Sequence, residues 1–139
     1  MAPLVRTGGS RHTGLAALPH RNIHIIKGDE YIIMVEYGYT KKDWALFREK
    51  IADWQEAYMD KLNKEYIDLL NGDGRPSEKF WALEERIRND KKDTGVQLRM
   101  SRSNCIYNIV SLLNEGAITM EDLEEFSDEL KERVHFIAK

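Results

Sequence analysis

The stretch "TKKDWALFREKIADWQEAYMDKLNKEYIDLL", residues 40–70, predicts the element on which the rest of the chain packs. Its apolar residues recur at steps of three and four, which is the repeat of one face of an α-helix. These residues are Trp44, Phe47, Ile51, Trp54, Tyr58, Leu62, Tyr66 and Leu69. A strict heptad repeat would place the charged residues Lys61 and Glu65 at the apolar interface of a coiled coil. The pattern therefore indicates an ordinary core-facing helix and not a long coiled coil.

Both ends of this helix carry recognisable signals. Thr40 is followed three residues later by Asp43, which is the spacing of a capping box. The stretch "NGDGRP", residues 71–76, contains two glycines and a proline and should stop the helix. A helix over residues 41–70 would be about 45 Å long, and we expect Trp44 and Trp54 to lie in the core against it.

Two further helices are predicted in the middle of the chain. Ser77 is a candidate cap for "EKFWALEERIRNDKK", residues 78–92, in which Phe80, Leu83 and Ile87 share one face with Trp81 beside it. The alternating "VQLRM", residues 96–100, is either a short strand or an extended lead-in. Ser101 or Ser103 would cap the next helix. Its apolar face contains Ile106, Ile109, Val110 and Leu113.

The stretch "NEGAITMEDLEEF", residues 114–126, predicts a tight helical corner. Gly116 can adopt the left-handed conformation that ends a helix, and Ile118 would fill the corner. Thr119 and Asp122 form a second capping box, from which a fourth helix should begin. Its inward face would contain Leu123, Phe126, Leu130, Val134 and Ile137. Each of these residue types is explained by its structural role in a helical corner, so no catalytic role is required to account for them.

The predicted fold class is therefore mainly α: a four-helix small domain over residues 34–139, with a long first helix and the C-terminal corner. Residues 1–33 are composed differently and are expected to be a disordered, appended or hairpin-forming extension. In one interpretation the natural product begins at Met34. In the other, "NIHIIKGDEYIIMVEY", residues 22–37, forms a minor β-hairpin.

The corner resembles SHOCT, a short C-terminal domain of the oligomerisation type in bacterial proteins. The pattern of that family is a leucine helix, Gly-x-Ile-Thr, two acids, an aromatic residue and a second helix with leucines. Matching residues are Leu112, Leu113, Gly116, Ile118, Thr119, Glu121, Asp122 and Leu130. Leu123 stands at the aromatic position, and Phe126 stands where the family has a lysine. The part from Lys41 onward resembles small helical proteins of Gram-positive bacteria and their mobile elements. Both resemblances imply protein–protein contact.

Composition and charge exclude several classes of function. The net charge of −3 provides no basic field for general nucleic-acid binding. The single cysteine, Cys105, excludes an internal disulfide framework and suits a reducing compartment, so we expect a cytoplasmic protein. No apolar run approaches the length of a membrane span.

The sequence contains few patterns that are typical of a catalytic or metal-binding site. The histidines, at positions 12, 20, 24 and 135, do not pair with each other or with Cys105 at ligand spacing, so neither a metal nor a cofactor is expected. Cys105 follows two arginines near a helix start, which would activate a thiol. A small buried residue is the simpler interpretation. Adjacent acids such as Glu84 and Glu85 point apart on a helix and do not form an acid–base pair.

Two charged surfaces remain as candidate sites. The acidic one, a candidate partner surface, contains Glu121, Asp122, Glu124, Glu125, Asp128 and Glu129. The basic one contains Arg86, Arg88, Lys91, Lys92, Arg99 and Arg102. We expect a non-enzymatic protein that binds a protein partner or itself. One alternative is an acidic inhibitor or regulator of a nucleic-acid-binding host protein, of a kind that mobile elements encode. The other is a DNA-binding regulator that uses the basic stretch, but direct nucleic-acid binding is not expected because an acid-coated helix would repel phosphate.

Overall fold

The computed structural model describes residues 38–138, and this part of the chain contains four α-helices. They are α1 (Lys41–Asn71), α2 (Pro76–Asp90), α3 (Cys105–Asn114) and α4 (Asp128–Ile137). Two short 3-10 helices, Arg102–Asn104 and Met120–Leu123, precede α3 and α4. The mainly α architecture with a long first helix is confirmed. The described part has no strand, and the predicted extension and hairpin at its N-terminal side lie outside the described residues.

The predicted start and end of α1 are confirmed to within one residue. The Asp43 backbone N–H donates to Thr40 Oγ1 at 3.0 Å, and the Thr40 N–H donates to Asp43 Oδ2 at 2.9 Å. This reciprocal pair satisfies N–H groups that would otherwise lack partners in the first turn. At the other end the Gly72 N–H donates to the Leu69 carbonyl at 3.3 Å.

The main core lies along the first half of α1. Phe47 and Ile51 pack there with α3, the corner and α4. The other buried members of this cluster are Tyr39, Cys105, Ile106, Ile109, Val110, Leu112, Ile118, Leu123, Phe126, Leu130 and Val134. Trp44 and Trp54 are half-buried and pack against the cluster, so their predicted place in the core is only partly realised.

The corner between α3 and α4 follows the predicted chemistry at its first two positions. Gly116 has φ +78°, a left-handed conformation. The N–H groups of Ala117 and Ile118 both donate to the Leu112 carbonyl, at 2.9 and 3.3 Å, which closes the end of α3. Ile118 is buried and fills the corner.

The fourth helix begins later than predicted. Thr119 opens a 3-10 turn and not an α-helix, and the Asp122 carboxylate accepts from the Thr119 N–H at 2.7 Å. α4 starts at Asp128, because the Ser127 hydroxyl accepts from the Leu130 N–H at 3.2 Å and provides a new cap. The predicted inward residues Leu123, Phe126, Leu130 and Val134 are nevertheless all buried, and Ile137 is half-buried against the core.

Two other predicted helix caps are wrong. α2 begins at Pro76, one residue before the expected cap Ser77, because the fixed φ of proline suits the first helical position. α3 begins at Cys105 after a 3-10 turn, and neither Ser101 nor Ser103 caps it. Their hydroxyls lie 3.4 Å from each other instead.

Asp43 connects the starts of α1 and α4. Its carboxylate is 1% exposed and accepts from the Ser127 N–H at 2.8 Å and the Ser127 hydroxyl at 2.6 Å, in addition to the Thr40 N–H. One side chain thus caps α1 and holds the residue that caps α4. A buried carboxylate is stable only with such partners.

Replacing Asp43 by asparagine should destabilise the protein by about 2–3 kcal/mol. The side-chain amide would turn an N–H donor toward groups that are themselves donors, leaving at least one buried group without an acceptor. Chemical denaturation measures this loss, and Asp53→Asn at an exposed position of α1 is the matched control. Equal stability of the two variants would contradict the linking role of Asp43.

Gly116→Ala should cost about 1 kcal/mol in unfolding free energy. The new Cβ would find open space, with the Lys61 Nζ 3.9 Å away, so the cost comes from the positive φ alone. Gly72 has φ −76° and serves as the control, since alanine adopts that φ without strain. A loss as large for Gly72→Ala as for Gly116→Ala would show that the backbone conformation is not the cause.

Candidate interaction surface

The second half of α1 faces α2 through a largely polar seam. Arg86 on α2 forms an ion pair with Glu65, and its Nε lies 3.0 Å from Asp90 Oδ2. The Tyr66 hydroxyl donates to the same Asp90 oxygen at 2.6 Å. Burial and this hydrogen bond raise the pKa of Tyr66 to about 12, so the phenol stays protonated as a donor. Polar groups thus occupy the side of α2 that meets α1.

The predicted apolar face of α2 is consequently not part of the core. No residue of α2 is buried. Phe80 and Trp81 are 62% and 63% exposed, and their rings meet edge to face at a centroid distance of 5.0 Å. Ile87 is exposed as well, and Leu83 is half-buried. The periodicity correctly predicted a helix, but of its apolar side chains only Leu83 lies on the half-buried side of α2, and Phe80, Trp81 and Ile87 lie outside the seam.

The exposed apolar residues Leu70, Phe80 and Ile87 lie on the same flank of the helix pair. Leu70, Phe80 and Ile87 each follow a half-buried seam residue by one position. Those seam residues are Leu69, Lys79 and Arg86. In an α-helix each residue is rotated by about 100° from the one before it. Because α1 and α2 run antiparallel, a residue that follows a seam residue by one position points to the same side of the helix pair in both helices.

A hydrogen bond joins the two helices at one end of this flank. The Lys79 ammonium donates to the Leu70 carbonyl at 3.0 Å, so the start of α2, with Phe80, lies level with the end of α1, with Leu70. Trp81 extends the surface through its contact with Phe80. We call Leu70, Phe80, Trp81 and Ile87 the hairpin patch. Other exposed large apolar residues, such as Tyr107 and Phe136, stand on α3 and α4.

A set of hydrogen bonds fixes the chain where it leaves α2. Glu115 accepts from the backbone N–H groups of Thr94 and Gly95 at 2.8 and 3.0 Å. The Tyr58 hydroxyl donates to Asp93 at 2.7 Å. A Cβ on Gly95 would come within 2.3 Å of the Tyr58 ring, so glycine is required there. The base of the helix pair is therefore held to both α1 and α3.

The six predicted basic residues do not form one free cationic surface. Arg86 belongs to the seam, and Arg88 pairs with Glu84 on the same helix. Arg99 and Arg102 lie beyond the turn that follows α2, and both use their carbonyls as acceptors, from Asn108 and Tyr39. The remaining members, Lys91 and Lys92, are exposed at the end of α2.

The six predicted acidic residues are all exposed, but they are not on one helix. Glu121 and Asp122 belong to the 3-10 turn, and Asp128 and Glu129 to the first turn of α4. Glu124 and Glu125 lie between these two elements. Weak ion pairs link Glu125 to Lys50 at 3.8 Å and Asp128 to Lys131 at 3.6 Å. The surface is acidic, with a bend where a continuous helix was predicted.

Sequence patterns did not single out the hairpin patch as a site. Phe80 and Ile87 were predicted as members of an apolar face, and nothing in the sequence distinguishes a face against α1 from one against solvent. A signal did exist in Leu70 and Trp81. Each lies one position off the apolar repeat of its own helix, where a helix of a closed core usually carries polar residues.

Three other features of the described residues bear on possible functions. No three His, Cys, Asp or Glu side chains there come close enough to hold a metal ion. None of the described helices is long and apolar enough to cross a membrane. An open depression of about 590 Å³ lies beside α4, lined by Gly38, Glu129, Glu132, Arg133, Phe136 and Ile137.

Cys105 lies in the core and does not behave as an accessible nucleophile. Its side chain has no exposed surface. Burial, together with the negative charge of Asp43, raises the pKa of the thiol to about 12. The thiol therefore stays protonated at neutral pH, and the reactive thiolate is not formed in the folded protein.

Cys105 in the folded protein should resist Ellman's reagent at pH 8, because the thiol is both covered and protonated. In denaturant the same reagent should titrate one thiol per chain at once. The rate of labelling without denaturant should follow the rate of unfolding. Complete labelling of the native protein within seconds, with no loss of helical circular dichroism, would contradict this assignment.

Comparison with known proteins yields no relative. No protein-family model, no curated protein and no solved structure matches this chain. The resemblance of the corner to SHOCT therefore stays a prediction.

Proposed function

We propose that this chain is a non-enzymatic, cytoplasmic interaction protein, which binds a protein partner or a second copy of itself through the hairpin patch. The observation that carries the proposal is the exposure of two adjacent aromatic side chains, Phe80 and Trp81, on a helix that buries none of its residues. Aromatic residues in an exposed apolar patch are typical of protein–protein interfaces.

The way α2 is held supports this interpretation. Its polar side is engaged by Glu65, Tyr66 and the Leu70 carbonyl, so the helix keeps its orientation while the patch faces outward. The hydrogen bonds of Glu115 and Tyr58 where the chain leaves α2 hold the helix in the same orientation. A rigidly presented apolar surface loses little conformational entropy on binding, which favours affinity.

Side chains that could act as catalytic acids, bases or nucleophiles have structural roles instead. Asp43 and Glu115 each hold two separate segments together through backbone N–H groups. Cys105 is enclosed by the core. These roles support a non-enzymatic function, since each group is already committed to a structural partner.

A second candidate function rests on the acidic surface. Its six exposed carboxylates could occupy a basic cleft of a nucleic-acid-binding host protein, which would make the chain an inhibitor or regulator. Lys50 and Lys131 approach it closely among the described residues, so most of its negative charge is uncompensated. The DNA-binding alternative has less support, because Arg86 and Arg88 already pair with acids.

Affinity capture from the native cell, with one variant for each surface, tests these proposals. Phe80→Glu should reduce recovery of the bound protein at least about tenfold, because it places a charge in an apolar interface. Tyr107→Glu is the matched control, since Tyr107 is 66% exposed on α3 and lies outside the patch. Full binding by the Phe80 variant would contradict the role of the hairpin patch.

Charge reversal at Glu124, Glu125 and Asp128 provides the opposite arm of this experiment. These side chains are exposed, so each reversal should change the unfolding free energy by less than about 0.5 kcal/mol. Binding that survives the reversal but not Phe80→Glu supports the hairpin patch. Binding that is lost on reversal and kept by Phe80→Glu supports the acidic inhibitor.

A further inference from the structure

We infer that the hairpin patch is a homodimer interface, at which two copies of the α1–α2 helix pair pack side by side as a four-helix arrangement. This inference rests on the proposed function and names the partner. Two packed helices alone leave an apolar flank open to water, and a second helix pair is the simplest layer that closes it.

The size of the patch suits a dimer. Phe80 and Trp81, each about two-thirds exposed, contribute about 200–300 Å² of accessible surface. Leu70 and Ile87, 44% and 37% exposed, bring the apolar total to about 400 Å² per copy. A standard interface buries about 800 Å² per partner, of which somewhat more than half is apolar. The patch therefore supplies most of the apolar surface that a stable dimer needs.

The charges around the patch favour a second copy over a strongly charged partner. Residues 60–91 contain eight acidic and seven basic side chains, so the helix pair is nearly neutral. Several of these charges already compensate each other within the pair, such as Arg86 with Glu65 and Arg88 with Glu84. Two such surfaces approach without net repulsion. A highly acidic or basic protein would gain no attraction here.

Two-fold symmetry requires a surface that is complementary to itself. The patch meets this requirement because Phe80, Trp81 and Leu70 lie at one end and the smaller Ile87 lies about two helical turns away on the same flank. In an antiparallel pairing, the aromatic residues of one copy would pack over Ile87 of the other. Every contact then occurs twice, so one substitution changes both halves of the interface.

Sedimentation equilibrium of the full chain, from about 1 µM to about 500 µM, tests the inference. We expect a concentration-dependent monomer–dimer equilibrium. Phe80→Glu should raise the dissociation constant at least about 100-fold, because the lost apolar contact is counted twice. Trp81→Gln should weaken the dimer in the same direction. Tyr107→Glu, of similar exposure, should leave the dissociation constant unchanged, and circular dichroism verifies that all three variants are folded.

The outcomes separate this inference from the proposed function. A wild-type chain that stays monomeric throughout the concentration range overturns the homodimer. So does a dimer that neither Phe80→Glu nor Trp81→Gln weakens. If the chain is monomeric but still captures a partner in a manner that depends on Phe80, the patch binds a different protein and the proposed function stands. If it is monomeric and Phe80→Glu leaves capture unchanged, both proposals fail.

Discussion

The carboxylate of Asp43, in the first turn of α1, binds Ser127, the residue that caps α4 and lies 84 residues along the chain, and the packing of α1, the corner and α4 depends on this contact. Asp43 is the one charged side chain that is fully buried in the described part of the chain. Its removal from water is offset by hydrogen bonds from Thr40 and Ser127 and by the positive ends of the α1 and α4 dipoles. With α4 held at the start of α1, the corner residues Ile118, Leu123 and Phe126 are enclosed between the helices.

The length of α1 gives the molecule two different halves. Near Asp43 the helix packs through Phe47 and Ile51 into an apolar core. Beyond Leu62 it packs against α2, and that seam is maintained by ion pairs and phenol–carboxylate hydrogen bonds. A polar seam has strict geometric requirements, so it orients α2 well. It also leaves Phe80, Trp81 and Ile87 exposed in the described part of the chain, and this is the physical origin of the hairpin patch.

The fold could be predicted further from sequence than the candidate site. Helical periodicity identified α1 and the inward residues of the corner, because these patterns are local. The patch was not predicted, because two stripes of α2 compete for the same position against α1. One contains Phe80 and Ile87, and the other contains Lys79, Arg86 and Asp90, which sequence analysis treats as a solvated face. The polar stripe occupies the seam because Glu65 and Tyr66 offer matching groups at the correct level of α1.

The sequence by itself determined the helical class, the span of α1, the left-handed turn at Gly116 and the burial of Ile118, since each depends on spacing or on the conformational preference of one residue. Tertiary structure alone decided where α4 begins, because the cap at Ser127 is completed by Asp43 from a distant part of the chain. It also decided which side of α2 faces water. Both decisions come from long-range pairing of polar groups, which no local pattern encodes.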